Sequence, residues 1–134
     1  MKNRGTIMIK AGWLMTALFV LFMVGASVVP KFAGAAAAVQ SLATLGWPTR
    51  YLLVIGSMEL AFVILYSIPR TSLFGAVLMT GLLGGAMASH IRAESPLFSH
   101  TLFGVYLGIF MWTSLWLRDP RLRAYLAPGR GAGS

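Results

Sequence analysis

The sequence predicts an all-α fold: an integral membrane four-helix bundle with a short interfacial or re-entrant helix after the first span and a short C-terminal amphipathic helix. Three observations carry this reading. Of 134 residues, 57% are hydrophobic and only 10% charged, far more apolar than a soluble domain of this length. Four stretches, 11–29, 51–68, 72–89 and 101–117, contain no Lys, Arg or Asp. Each has about the length that crosses a bilayer core of roughly 30 Å at about 1.5 Å per residue. Finally, proline, glycine and hydroxyl residues stand between the stretches, where helices stop and start. Membrane strands would need only about ten residues and an in-out alternation that these runs lack.

The first span follows a basic start and closes at Pro30. A secretory signal would share the basic start, the apolar run and the small residues after it. The run is longer than a usual signal core, however, and Lys31 precedes the would-be cleavage site, so the segment is kept as a helix. The connection 31–50 is too apolar for a free loop. Its alanine-rich part, with Val39, Leu42 and Leu45, predicts a short helix at the interface, stopped by Gly46, anchored by Trp47 and roofing one end of the bundle. Pro48 and Thr49 precede the second span. Pro69 stops it, Thr71 and Ser72 read as the cap of the third, and Ser95-Pro96 opens the fourth.

Small residues four apart, Gly81 with Gly85 and Gly104 with Gly108, predict close contact between the third and fourth spans. A homo-oligomer is the other use of such faces. Trp13, Tyr51, Tyr66, Trp112 and Trp116 lie near span ends and read as an interfacial belt. Asp119-Pro120 starts the amphipathic helix, with Leu122, Tyr125 and Leu126 on one face. One domain thus covers 1–127, and 128–134 reads as a disordered tail. No internal repeat is evident, so an inverted-repeat transporter gains no support.

Eight Lys and Arg residues fall on the side of the termini and three, Lys31, Arg50 and Arg92, on the other. The positive-inside rule predicts a multi-pass protein of the cell (inner) membrane with both termini cytoplasmic. The net charge of +8 is explained by this asymmetry and by anionic membrane lipid rather than by nucleic acid, for which there is no folded basic domain. Without cysteine there are no disulfides, no thiol catalysis and no thiolate-held metal. No metal site is assigned.

Glu59 is the only acidic residue within an apolar stretch. A carboxylate in hydrocarbon costs several kcal/mol, about what makes such residues functional by default, unless it is protonated, paired or facing water. At about 1.5 Å per residue it lies near mid-membrane. His90 and Arg92 end the third span, His100 opens the fourth, Lys31 follows the first, and Tyr106 is in the outer half of the fourth. These positions predict an outward-opening polar cavity, with Glu59, His90, Lys31, Tyr106 and Arg92 as candidate ligand-binding residues. None is assigned a catalytic role. The competing reading makes Glu59 a hydrogen-bonding element that fixes bundle register. Axial haem ligation by the two histidines is disfavoured, since both lie near the interface.

These features also resemble the DoxX-like family of small four-helix bacterial membrane proteins. The resemblance rests on Lys31 after the first span, Gly46-Trp47-Pro48, the mid-span Glu59-Leu60, the Ile68-Pro69-Arg70-Thr71 turn and Ser89-His90-Ile91-Arg92, in this order. The family takes its name from a subunit associated with a thiosulfate:quinone oxidoreductase. The resemblance therefore implies a redox-associated subunit that binds a quinone-like or other lipophilic ligand, with a bound quinone or lipid in place of any covalent cofactor, and a redox partner protein. The alternatives are a small proton-coupled transporter or exporter using Glu59, although four-helix multidrug exporters carry their membrane glutamate in the first helix and here it is in the second, and a membrane scaffold without ligand.

Overall fold

The computed structural model describes residues 2–127, and among these there is no strand. Four helices are long and apolar enough to cross a membrane: Asn3–Ala33, Thr49–Ser67, Ser72–Arg92 and Leu97–Arg118, here the first to fourth spans. The shortest has 19 residues, about 28 Å of helix. The tail expected over 128–134 lies outside the described residues.

The first span does not stop at its proline. It consists of α1 (Lys2–Met23), a π-helical turn over Val24–Val28 and α2 (Val29–Ala33). Pro30 offers no N–H to the carbonyl four residues back, and its ring crowds that carbonyl. A widened turn just before it accommodates both effects, with the Val29 N–H donating five residues back to the Val24 carbonyl. The helix ends at Gly34, whose φ of +63° needs a residue without Cβ.

The interfacial helix is α3 (Ala36–Thr44), stopped at Gly46 with φ +81°, where the Trp47 N–H reaches back to the Leu42 carbonyl. A 3₁₀ turn (Thr49–Tyr51) leads into α4 (Leu52–Ser67), and α5 (Ser72–Arg92) follows a tight turn. Thr71 and Ser72 do not cap α5 as expected. Their hydroxyls turn back and donate to the Leu65 and Ile68 carbonyls at 2.7 Å each, satisfying acceptors that the end of α4 leaves open. A second π-helical turn, Leu97–Thr101, precedes α6 (Phe103–Arg118). The last helix, α7 (Pro120–Tyr125), is capped by Asp119, whose carboxylate accepts from the Arg121 and Leu122 N–H groups.

α1 packs chiefly on α6, and α4 on α5. The glycines that make these contacts are not the expected pairs. Gly81, Gly84, Gly85 and Gly108 have open space where a Cβ would stand, and only Gly104 is tight, against Met87. The close approaches are elsewhere. A Cβ on Gly12 would come within 2.5 Å of the Arg118 backbone nitrogen on α6, and one on Gly75 would collide with the backbone of Leu65 and Tyr66. A small-residue pair permits contact only on the face that the rest of the helix turns inward, and the 81/85 face is turned outward.

The half of the bundle nearest the termini is fully packed, around Phe19, Met79, Met111 and Leu115. Tyr66, expected in the interfacial belt, is wholly buried there. Its hydroxyl donates to the Met111 carbonyl at 2.7 Å and meets Ser114, which also bonds Thr16. Arg118 is 94% buried at the base of this network; it donates to the Tyr66 carbonyl and lies against the Trp13 and Tyr66 rings at 4.4 and 4.6 Å. The opposite half is not filled.

Candidate functional site

In that opposite half residues of all four spans line a cavity of about 230 Å³. Its polar wall is made by Ser27, Glu59, His90 and His100; its apolar wall includes Phe22, Phe103 and Met87.

Glu59 is 92% buried, and it is paired. Lys31 Nζ lies 3.1 Å from Oε2 and 3.3 Å from Oε1, and the Ser27 hydroxyl sits 2.9 Å from both oxygens. Lys31 also donates to the Ser27 hydroxyl oxygen at 2.6 Å. The carboxylate therefore has a counterion and a hydroxyl partner across the first and second spans, which is what makes its burial affordable. Two local features position this triad. The π-helical turn contains Ser27 and sets the direction of the helix that carries Lys31. Gly56, one turn before Glu59 on the same face, leaves room for the Lys31 stem; a Cβ there would stand 3.1 Å from Lys31 Cβ.

The two histidines reach the cavity from the third and fourth spans. Their rings meet edge to face with centroids 5.9 Å apart. Each is held through Nδ1 by a nearby serine, His90 by Ser95 at 3.0 Å and His100 by Ser99 at 2.7 Å. When the serine hydroxyl donates to Nδ1, the neutral imidazole carries its proton on Nε2, a hydrogen-bond donor for a ligand oxygen. Among the described residues no group of three or more His, Asp or Glu is arranged to hold a metal ion.

Of the residues singled out from sequence, the structure brings together Glu59, Lys31 and His90. Arg92 and Tyr106 stand apart. The Arg92 guanidinium donates to the Leu45 carbonyl at 2.7 Å and, with the Trp47 indole bonded to Ser89 at 3.0 Å, ties the end of α3 to the third span. Tyr106 is half exposed on the bundle surface. Ser27 and His100 were missing from the sequence-derived site. The signal for His100 was its matching depth with His90; for Ser27 it was the spacing of four residues to Lys31.

A family model described as the DoxX-like family matches residues 14–114, from within the first span to within the fourth. The chain belongs to the DoxX-like family. Neither a curated protein nor a solved structure matches it. This DoxX-like membrane protein thus carries its buried carboxylate, Lys31 and both histidines at one end of the bundle.

Proposed function

We propose that this DoxX-like protein is a redox-associated membrane subunit that binds the polar head of a quinone-like ligand in the cavity beside Glu59. The observation that carries the reading is the cavity's mixed lining: a buried, ion-paired carboxylate and two imidazoles on one side, aromatic and methionine side chains on the other. A quinone head has this polarity, a flat apolar ring with oxygens that accept hydrogen bonds. Nε2–H of His90 or His100 would donate to such an oxygen, and the imidazoles together with the carboxylate supply titratable groups where reduction demands protons. Electrons would come from a redox partner protein.

The test is binding of a decyl-substituted benzoquinone to the purified protein in nanodiscs, followed by ligand-induced thermal shift, together with a native mass spectrum of gently purified protein. Saturable binding and a retained quinone are expected. His90→Ala and His100→Ala should each weaken the probe about ten-fold, on the order of 1.4 kcal/mol, a usual hydrogen-bond loss. The double variant should lose less than the sum, because the two groups serve one ligand. Absence of binding to the wild-type protein, with no quinone retained, would overturn the proposal and favour a transporter or scaffold.

A further inference from the structure

The cavity is small for the whole of such a ligand. At about 230 Å³ it lies below the roughly 300–1,000 Å³ usual for small-molecule sites, room for a ring and not for the chain attached to it. A second concavity of about 360 Å³ lies immediately beside it on the lipid-facing side of the third and fourth spans, almost wholly apolar. The two share walls: Leu83, Met87 and Gly104 line both. Met87 marks the boundary, its Cγ lying 2.7 Å from where a Cβ of Gly104 would be, so only a glycine allows a flexible thioether side chain to lie there. Beyond it, Gly84 and Gly108 present bare backbone with open space, and the groove reaches Trp112. From Gly104 to Trp112 is about 12 Å of helix.

We propose that this groove holds the hydrocarbon chain of the same molecule whose polar head occupies the cavity beside Glu59, the chain passing over Gly104 past Met87. The inference rests on the head-group reading above and adds the route and the chain. Continuity with the polar cavity is what distinguishes this occupant from bulk lipid or a second copy. Lipid tails are as apolar as the groove, so a chain gains little by transfer from bilayer to groove. The groove acts sterically: it gives the chain a way out of the cavity, and filling it should exclude molecules that carry a chain while sparing those that do not.

The experiment compares a decyl-substituted benzoquinone with the same ring lacking the decyl chain, on wild-type protein and on Gly84→Leu and Gly108→Leu, which fill the groove without touching the cavity wall. Gly81→Leu, outward-facing and outside both concavities, is the control. Expected are a loss of ten-fold or more in affinity for the chain-bearing probe in both groove variants, unchanged affinity for the bare ring, and no change in Gly81→Leu. Equal affinity of all variants for the chain-bearing probe overturns the groove assignment while leaving the head site intact, and so does parallel weakening of both probes. A dimer in the wild type that Gly108→Leu converts to monomer would assign the groove to a second copy instead. Failure of the wild-type protein to bind either probe sinks the head-group reading itself.

Discussion

At the scale of single residues the Lys31–Glu59 pair is asymmetric. Lys31 is near the end of the first span on a long stem that can carry its ammonium toward water, whereas Glu59 lies in the middle of its span and has nowhere to go. Removing the lysine should therefore hurt more than neutralising the glutamate. We expect Lys31→Met to cost about 3 kcal/mol, the lower end of what breaking a buried pair costs, and Glu59→Gln about 1 kcal/mol. The double variant should recover much of the Lys31→Met loss. Reversible unfolding of the four proteins in one detergent measures this, and equal costs for the two single changes would contradict it. The residue scale also shows where the sequence was legible. Glu59 was conspicuous because no other acid interrupts an apolar run, and Lys31 and His90 because they sit at span ends. Arg92 and Tyr106 do not line the cavity, because depth along a span says nothing about which face of the helix a side chain occupies. Ser27 was overlooked because a serine in an apolar helix ordinarily satisfies itself on its own backbone.

At the scale of elements, contact between helices is set by a few backbone approaches. Gly12 lets α1 lie against α6 at Arg118, and Gly75 lets α5 start against the end of α4. Gly12→Leu and Gly75→Leu should each destabilise the bundle by about 3 kcal/mol or prevent its folding, since backbone cannot yield as a side chain can. Gly85→Leu should leave the thermal midpoint unchanged. A midpoint lowered by Gly85→Leu and spared by Gly12→Leu would reverse the assignment. Span positions were readable from composition alone, because hydrocarbon demands long uninterrupted apolar helices. Packing faces were not. The pairs at 81/85 and 104/108 are a local pattern, whereas Gly12 and Gly75 matter through residues far away in sequence, about which the local pattern is silent.

At the scale of the whole molecule, the bundle has a solid half and a hollow half. Tyr66, Ser114, Thr16 and Arg118 knit the half toward the termini, and the cavity occupies the other. Lys and Arg are concentrated toward the termini, so the positive-inside rule predicts the solid half at the cytoplasmic face and the hollow half outside. Reporter fusions at Ser134 and within 42–46 should report opposite compartments. If both report the same one, the orientation of the cavity must be reassigned. The hollow half was legible in part, because Glu59, His90, His100 and Lys31 gather toward one end of the spans; the solid half was not, because Tyr66, Ser114, Thr16 and Arg118 meet there from distant segments.

The π-helical turn at Val24–Val28 gives the first span two angular phases. A π turn is an α-helix with one residue inserted, and one residue is worth about 100° of rotation. Upstream, the phase is locked by Gly12 and Thr16 against α6; downstream, it is locked by Lys31 against Gly56 and Glu59. Neither segment alone determines the other. The extra residue is the splice that lets a helix seated in the solid half also aim its lysine into the hollow one. The length of the chain between Gly12 and Lys31, as well as the side chains along it, therefore joins folding to the polar site.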